Sequence, residues 1–309
     1  MKLEVTARRA LTPEIEEFTL SSLDGEVLPP AEPGAHVSIT TPSGAHRYYS
    51  LVHPGDSPRS YTVAIKREPN SRGGSESMHE QAIVGSVLDV EPPDNEFPLG
   101  VGHAALLIGG GIGITPIYSM AQRLQEEGRQ YRVVYCARDP EHAAYAEELR
   151  QLCGDALTFH CNYGDRSSAF DFWDLLMTPT AEHIYCCGPS SLMEEVKGVT
   201  GHWPDGRVHF EEFMPVEIIR ADDKAFEVVL AKSGASITVP ADHTILEALR
   251  ANGYEFSSSC ETGTCGTCKC RYIEGEVDHR DLALMPEEKS STIMLCVSRA
   301  KGDQLVLDI

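Results

Sequence analysis

Short stretches of alternating apolar and polar residues dominate the first hundred positions. Residues 16–20, 35–40, 48–52, 61–66 and 87–91 each read as a strand, with Gly, Pro and Ser turns between them. That texture is the signature of a small β-barrel or sandwich. From about residue 102 to 213 the period changes. Apolar strands at 104–108, 132–136, 157–161 and 183–187 alternate with helical stretches, one running to Glu127, one within 143–152 and one starting at Ser191. Such βαβ alternation implies a parallel sheet. The charged run Arg220-Ala221-Asp222-Asp223-Lys224 then reads as a linker. Beyond it, 226–230 and 236–239 flank Lys232-Ser233-Gly234 as a hairpin. Thr244-Ile245-Leu246-Glu247 forms a capping box opening a short helix that Gly253 ends.

A cysteine loop follows that helix. Four residues separate Cys260 from Cys265, two separate Cys265 from Cys268, and 27 lie between Cys268 and Cys296. This is the ligand spacing of a plant-type [2Fe–2S] cluster. Gly263 and Gly266 let the backbone wrap close to a sulfide-bridged iron pair, and neighbouring threonine hydroxyls and amides can hydrogen-bond to sulfur. The rival is a structural zinc site, which usually draws its thiolates from two C-x2-C pairs; only one such pair exists here. Two strands, one helix and this loop make a ferredoxin-like module of the β-grasp type. The expected architecture is therefore multidomain: an antiparallel β-barrel over 1–101, an α/β parallel-sheet domain over 102–219, and a β-grasp, plant-type ferredoxin domain over 225–309.

Composition narrows the setting. At 309 residues with 41% apolar content, the chain is long enough for two or three cored domains. Its net charge of −21 is spread along the chain rather than gathered in a tail. An evenly acidic surface argues against nucleic-acid binding and favours a basic partner, although acidity that serves solubility alone is the competing reading. No apolar run approaches the length of a membrane span, and Met1-Lys2-Leu3-Glu4 lacks a signal-peptide core. With 10 cysteines, the expectation is a reducing cytoplasm in which thiols serve metal or catalysis rather than disulfides.

The strand at 104–108 runs into Gly109-Gly110-Gly111-Ile112-Gly113-Ile114-Thr115-Pro116. These glycines allow a tight turn and close main-chain approach to a phosphate. Thr115 can cap the next helix with Pro116 in its first turn, and that N-terminus favours an anion. The strict G-x-G-x-x-G fingerprint is not met, because Pro116 stands where the third glycine belongs; an ordinary strand–helix turn is the alternative. Cys186-Cys187-Gly188-Pro189 ends another strand, so both loops are expected to line one crevice at the carboxyl ends of the strands. Side-chain alternation assigns Cys186 to the core and Cys187 to the crevice. In the first domain, Arg47-Tyr48-Tyr49-Ser50 opens a strand and Arg72-Gly73-Gly74-Ser75 heads a loop before a helical stretch at 78–83. Arginine, serine hydroxyls and loop amides can bind a phosphate, and a tyrosine ring can pack on a flat heterocycle. The bland reading is a surface arginine beside a core tyrosine.

Taken in order, these motifs resemble the phthalate dioxygenase reductase group of the ferredoxin–NADP reductase superfamily over essentially the whole chain. The stretches that carry the likeness are 47–51, 72–75, 92–99, 109–116, 169–173, 185–189, 209–213 and 260–268 with 278–281. The resemblance implies FMN rather than FAD, in a six-stranded antiparallel barrel. By motif match, Arg47, Tyr48, Tyr49 and Ser50 contact the flavin, with the Ser50 hydroxyl near its N5. Ala64, Ile65 and Lys66 line it, Arg72, Gly73, Gly74 and Ser75 hold its phosphate, and Thr115 and Phe213 flank the ring. NADH is expected across Gly110, Gly111, Gly113, Thr115 and Pro116 on one side and Cys187, Gly188 and Pro189 on the other. Ser50, Thr115 and Cys187 are the residues expected beside the hydride path. Cys260, Cys265, Cys268 and Cys296 hold the cluster, and Cys270 is an additional cysteine expected not to ligate, since Cys296 completes the set.

The implied activity is that of a reductase component, carrying electrons from NADH through FMN and the [2Fe–2S] centre to a terminal Rieske-type oxygenase. Phthalate dioxygenase is the first choice of partner; an aryl-ether demethylase of the vanillate type or another aromatic-acid oxygenase is the alternative. A flavin and iron–sulfur redox sensor is the non-enzyme reading, and no residues are left over for an output module. A free-flavin reductase would not retain its flavin. A self-contained oxygenase would need a Rieske pair or mononuclear iron site, and the 12 scattered histidines suggest neither. Asp139 and Asp165 can receive a ribose hydroxyl, as NADH requires, while Arg138 and Arg166 beside them can meet a 2′-phosphate. A monomer is expected.

Overall fold

The computed structural model describes all residues except 69–72, 214–218, 221, 259–260, 262 and 264–265, and it divides into two compact units, Met1–Phe213 and Met214–Ile309. The first unit opens with six strands: β1 Lys2–Ala10, β2 Ile15–Ser22, β3 His36–Thr40, β4 His46–Ser50, β5 Ser60–Lys66 and, after helix α1 Gly74–Gln81, β6 Val87–Val90. They pair antiparallel in the order β4-β3-β6-β1-β2-β5, and a bridge between Leu51 and Val63 brings the two edge strands together. Closure removes the sheet edges and leaves one apolar interior, built from Val5, Phe18, Ile39, Tyr61 and Met78 among others. The pattern reading found five of these strands and missed β1. Only Leu3 and Val5 are fully buried along that strand. Two arginines follow on its outer half: Arg8 is paired with Glu16 at 2.5 Å and donates to the carbonyls of His79 and Ala82, and Arg9 pairs with Glu17 at 3.1 Å.

The same unit continues as β7 Ala105–Gly110, α2 Ile114–Glu126, β8 Tyr131–Ala137, α3 Ala146–Cys153, β9 Leu157–Cys161, α4 Trp173–Leu176, β10 His183–Cys187, α5 Ser190–Thr200 and β11 Val208–Glu211. All five strands run parallel in the order β11-β10-β7-β8-β9. Alternate residues feed two cores. Leu107, Val133, Tyr135, Tyr185 and Cys187 meet α2 and α3, while Leu106, Ile108, Val134, Ile184 and Cys186 meet α4 and α5. Helices on both faces account for the nearly unbroken apolar runs of these strands. Barrel and parallel sheet share the first of these cores, which also takes in Ile15, Val52 and Ala64. Polar ties reinforce that junction: Gln122 Nε2 donates to the Val52 carbonyl at 2.8 Å, and Tyr145 OH donates to Glu17 Oε2 at 2.7 Å.

The second unit holds β12 Phe226–Leu230, β13 Ser236–Val239, α6 Ile245–Ala251, β14 Lys269–Glu274, β15 Val277–Asp278, β16 Thr292–Met294, β17 Arg299–Ala300 and β18 Gln304–Leu307. Its main sheet runs β13-β12-β18-β14-β16, with β12 and β18 parallel and the other pairs antiparallel. Helix α6 packs Ile245, Leu246, Ala248 and Leu249 onto this sheet, which gives the β-grasp arrangement. The expected capping box is present: Glu247 N donates to Thr244 Oγ1 at 3.1 Å and Thr244 N to Glu247 Oε2 at 2.8 Å. It contributes about 1 kcal/mol to holding the helix start.

Candidate cofactor sites

The two glycine-bearing loops of the parallel sheet meet. β7 and β10 are adjacent, with Gly109 opposite Cys187, so their carboxyl ends stand side by side. A Cβ on Gly113 would lie 2.5 Å from the Cys187 carbonyl oxygen, and one on Gly188 would lie 3.0 Å from Gly110 Cα. Main chain therefore faces main chain, which is what a backbone cradle for a pyrophosphate requires. One expectation changes here. Helix α2 starts at Ile114 with Gly113 as its N-cap, so Thr115 does not cap it. Thr115 is buried inside the first turn and its hydroxyl donates to the Ile112 carbonyl at 3.1 Å. Pro116 still falls in that turn, where its missing N–H costs nothing.

Cys186 and Cys187 occupy opposite faces, as alternation required, but both are completely buried. Burial pushes the Cys186 thiol up to about 12 and the Cys187 thiol well above the ordinary range, so both are neutral thiols. Beside Cys187 on β11 sits Glu211, a residue the motif reading passed over. Among the described residues its enclosed Oε2 has no hydrogen-bond partner, and desolvation, with Glu96 nearby, pushes its carboxyl up to about 8. The signal lay in Val208-His209-Phe210-Glu211, where an acid ends an otherwise half-buried strand. Tyr185 is structural: its hydroxyl accepts from Gly100 N at 2.8 Å, and its ring stacks on His209 at 4.6 Å.

In the barrel, β4 places Arg47 and Tyr49 on one face and Tyr48 and Ser50 on the other. Ser50 is buried, and among the described residues neither its Oγ nor the enclosed Tyr49 hydroxyl has a hydrogen-bond partner. Burial raises the Tyr49 phenol well above its usual range, so it stays protonated. An orphaned phenol on the same face as the Arg47 guanidinium fits a site with a polar occupant. Arg47 lies against the start of α1: a Cβ on Gly74 would stand 2.7 Å from its Nε, and Gly73 turns the chain there with a φ of 84°. A guanidinium beside a helix start has the chemistry of a phosphate cradle. Ser75 Oγ accepts from Glu68 N at 3.2 Å, and Arg72 lies outside the described residues. Ala64 belongs to the core shared with α2, against which Phe213 packs, whereas Ile65 points into the barrel interior. Lys66 is paired with Glu68 at 3.0 Å.

Cys260 and Cys265 lie outside the described residues. Cys268 and Cys296 are both buried in the core of the second unit, and Leu295 N donates to the Cys268 carbonyl at 3.2 Å, which holds the two cysteine-bearing segments together. Gly263, with a φ of 81°, packs so tightly that a Cβ would lie 2.8 Å from Val297 Cγ2. Cys270 sits in β14 with its thiol directed at the Arg271 carbonyl, 3.3 Å away, and burial raises it to about 11. Of the candidate ribose contacts, Asp139 accepts from His142 N at 3.1 Å and from its Nδ1 at 2.7 Å, and Asp165 accepts from Ser167 N at 2.9 Å. Arg138 lies 3.4 Å from Asp139 and 3.6 Å from Glu14.

Comparison with known proteins matches two regions to family models and the whole chain to relatives. Residues 107–198 match the oxidoreductase NAD-binding domain family, and residues 228–301 match the 2Fe-2S iron-sulfur cluster binding domain family. The phthalate dioxygenase reductase of Burkholderia cepacia is 42% identical over 100% of this chain and 97% of its own length. The phthalate 4,5-dioxygenase oxygenase reductase subunit of Pseudomonas putida is 42% identical over 99% of this chain and 96% of its own. A solved structure of phthalate dioxygenase reductase, described as modular for electron transfer from pyridine nucleotides to [2Fe–2S], superposes with a TM-score of 0.93 at 42% identity, covering 100% of this chain and 98% of that one. With the antiparallel barrel, the parallel sheet and the cysteine module in the same order along its full length, the chain belongs to the phthalate dioxygenase reductase family.

Proposed function

We propose that this protein is the NADH-dependent reductase component of an aromatic ring-hydroxylating oxygenase, a flavin and iron–sulfur oxidoreductase carrying FMN and a [2Fe–2S] cluster. The observation that carries the reading is end-to-end similarity to such reductases by a chain whose barrel, glycine loops and cysteine module each have the chemistry of one cofactor. We assign residues 1–101 to FMN, 102–219 to NADH and 225–309 to the cluster. When bound, the flavin accepts a hydride and releases electrons singly, and the diiron centre relays them outward.

The protein's own groups supply position and electrostatics. Arg47, Gly73, Gly74 and Ser75, with Arg72, hold the flavin phosphate; Tyr48, Tyr49, Ser50, Ala64 and the main chain of Ile65 and Lys66 border the ring. Among the described residues Ser50 Oγ has no hydrogen-bond partner, and the ring supplies one. Gly110, Gly111, Gly113 and Pro116 face Cys187, Gly188 and Pro189 across the pyrophosphate. Thr115 and Phe213 flank the reacting rings, and the neutral Cys187 thiol keeps that place dry and uncharged. Cys260, Cys265, Cys268 and Cys296 are the thiolate ligands. Arg138 beside two carboxylates supports NADH over NADPH.

The terminal acceptor is a Rieske-type oxygenase, with phthalate dioxygenase favoured by the relatives' names. It docks over the cysteine loop, where Leu282 and Met285 expose 66% and 63% of their surface and the protein's net charge of −21 favours a basic partner. We place the protein in the cytoplasm as a monomer; among the described residues no helix is long and apolar enough to cross a membrane. The test is reconstitution with NADH and purified oxygenases acting on phthalate, vanillate and other aromatic acids. Product from the phthalate enzyme alone supports the reading, product only with another oxygenase reassigns the partner, and no electron delivery to any acceptor refutes it.

A further inference from the structure

Asp223, in the charged stretch that reads as a linker, is firmly held within the second unit. Arg280 grips Asp223 with both prongs of its guanidinium, Nη1 to Oδ2 at 2.8 Å and Nη2 to Oδ1 at 2.5 Å. The two side chains are 4% and 7% exposed. Arg280 Nε donates to Asp278 Oδ2 at 2.7 Å, and Arg220 N donates to Asp223 Oδ2 at 2.8 Å. Arg299, also buried, lies with Nε 3.6 Å from Asp223 Oδ2. It donates to the carbonyls of Lys224 and Pro240 at 3.0 Å each and to that of His243, and covers the Phe226 ring.

The backbone around Arg280 reaches the other way, to the segments that carry the cysteines. Arg280 N donates to Ser298 Oγ at 3.2 Å, two residues beyond Cys296, and Ser298 Oγ donates to Asp281 Oδ1 at 3.2 Å. Leu282 N donates to the Gly263 carbonyl at 3.0 Å, inside the loop between Cys260 and Cys268. A single arginine thus holds the incoming chain through its side chain, while its main chain and the next two residues bind both cysteine-bearing segments. A buried ion pair adds little net stability over apolar residues of the same size, but a two-pronged arginine–carboxylate contact fixes direction and register.

We propose that Asp223 and Arg280 are positioning residues that lock the chain entering the iron–sulfur unit to the cysteine loop, so that electron delivery to the cluster depends on them. The proposal rests on the reductase reading above. The test uses the holoprotein with Asp223→Asn, which removes the charge at constant shape, and Arg280→Lys, which keeps the charge and loses the fork. Anaerobic mixing with NADH is followed at flavin and iron–sulfur wavelengths, with the cluster potential and amide hydrogen exchange measured in parallel. The expected result is unchanged flavin bleaching and cluster potential, faster exchange at 222–224 and Leu282, and cluster bleaching slowed by about tenfold to a hundredfold. The lysine variant should show the smaller effect. Unchanged cluster bleaching in both variants overturns the proposal, and so does loss of the iron–sulfur spectrum in both, since the pair would then be a folding element. Failure of the unmutated protein to bleach its cluster with NADH would instead overturn the reductase reading.

Discussion

Replacing Glu211 by Gln should change how the stability of the first unit depends on pH, by an amount the site allows to be worked out. In the folded protein the carboxyl is pushed from the ordinary 4.5 up to about 8, mainly by desolvation. A raised carboxyl favours the folded state below its unfolded value, and that advantage is lost as pH climbs through the folded value. Between about pH 4.5 and 8 the unfolded chain ionises this glutamate while the folded chain keeps it protonated. Each pH unit therefore costs about 1.4 kcal/mol. The full window would be worth about 5 kcal/mol, which relaxation and water entry reduce to about 2–3 kcal/mol. For a unit of this size that is about 5–10 °C in melting temperature. Glutamine keeps the shape without the ionisation. Relative to the unmutated protein, the variant should match it near pH 4.5 and melt about 5–10 °C higher at pH 8. Both tryptophans of the chain, Trp173 and Trp203, lie in Met1–Phe213, so tryptophan fluorescence reports that unit selectively. A gap between the two proteins that stays constant across pH 5–8 would refute the reasoning.

Three further outcomes are expected. Gly113→Ala forces a methyl to within 2.5 Å of the Cys187 carbonyl oxygen, so the two loops must part. Stability should fall by about 1–3 kcal/mol and NADH should bind at least about tenfold more weakly, read by anaerobic titration. Arg47→Ala removes the guanidinium from the start of α1, and FMN affinity should drop by about 1.5–3 kcal/mol, measured by flavin fluorescence on release; unchanged affinity would contradict the phosphate role. Cys296→Ser should abolish the iron–sulfur absorbance while leaving NADH-to-dye reduction by the flavin. A surviving intact cluster would show that the ligand set is wrong.

Long periodic segments were readable from the chain because their burial is uniform. The strands around 104–108 and 183–187 are apolar on both faces, and the structure covers both faces with helices. The first strand was not readable: after Val5 no position is fully buried, and Arg8 and Arg9 pair with Glu16 and Glu17, which leaves no alternation to see. At Thr115 the local rule was sound but shifted by two residues, because Gly113 already takes the cap position and the hydroxyl turns back on Ile112. Ser50 and Tyr49 were legible as candidates from their motif, whereas their unpartnered oxygens emerge only from packing. Glu211 and Asp223 are harder cases. One becomes conspicuous through desolvation beside Cys187, the other through Arg280, 57 positions away. An acid in a polar stretch looks like surface until its distant partner is known.

The most direct measurement is anaerobic addition of NADH to the purified, FMN-loaded protein, followed by visible absorbance and by low-temperature electron paramagnetic resonance. Loss of flavin absorbance, then of iron–sulfur absorbance, with the resonance of a reduced two-iron centre appearing in step, is the result expected if this chain joins nicotinamide oxidation to cluster reduction. A flavin that bleaches while the cluster stays oxidised, or a preparation that holds no iron and sulfide, would contradict it.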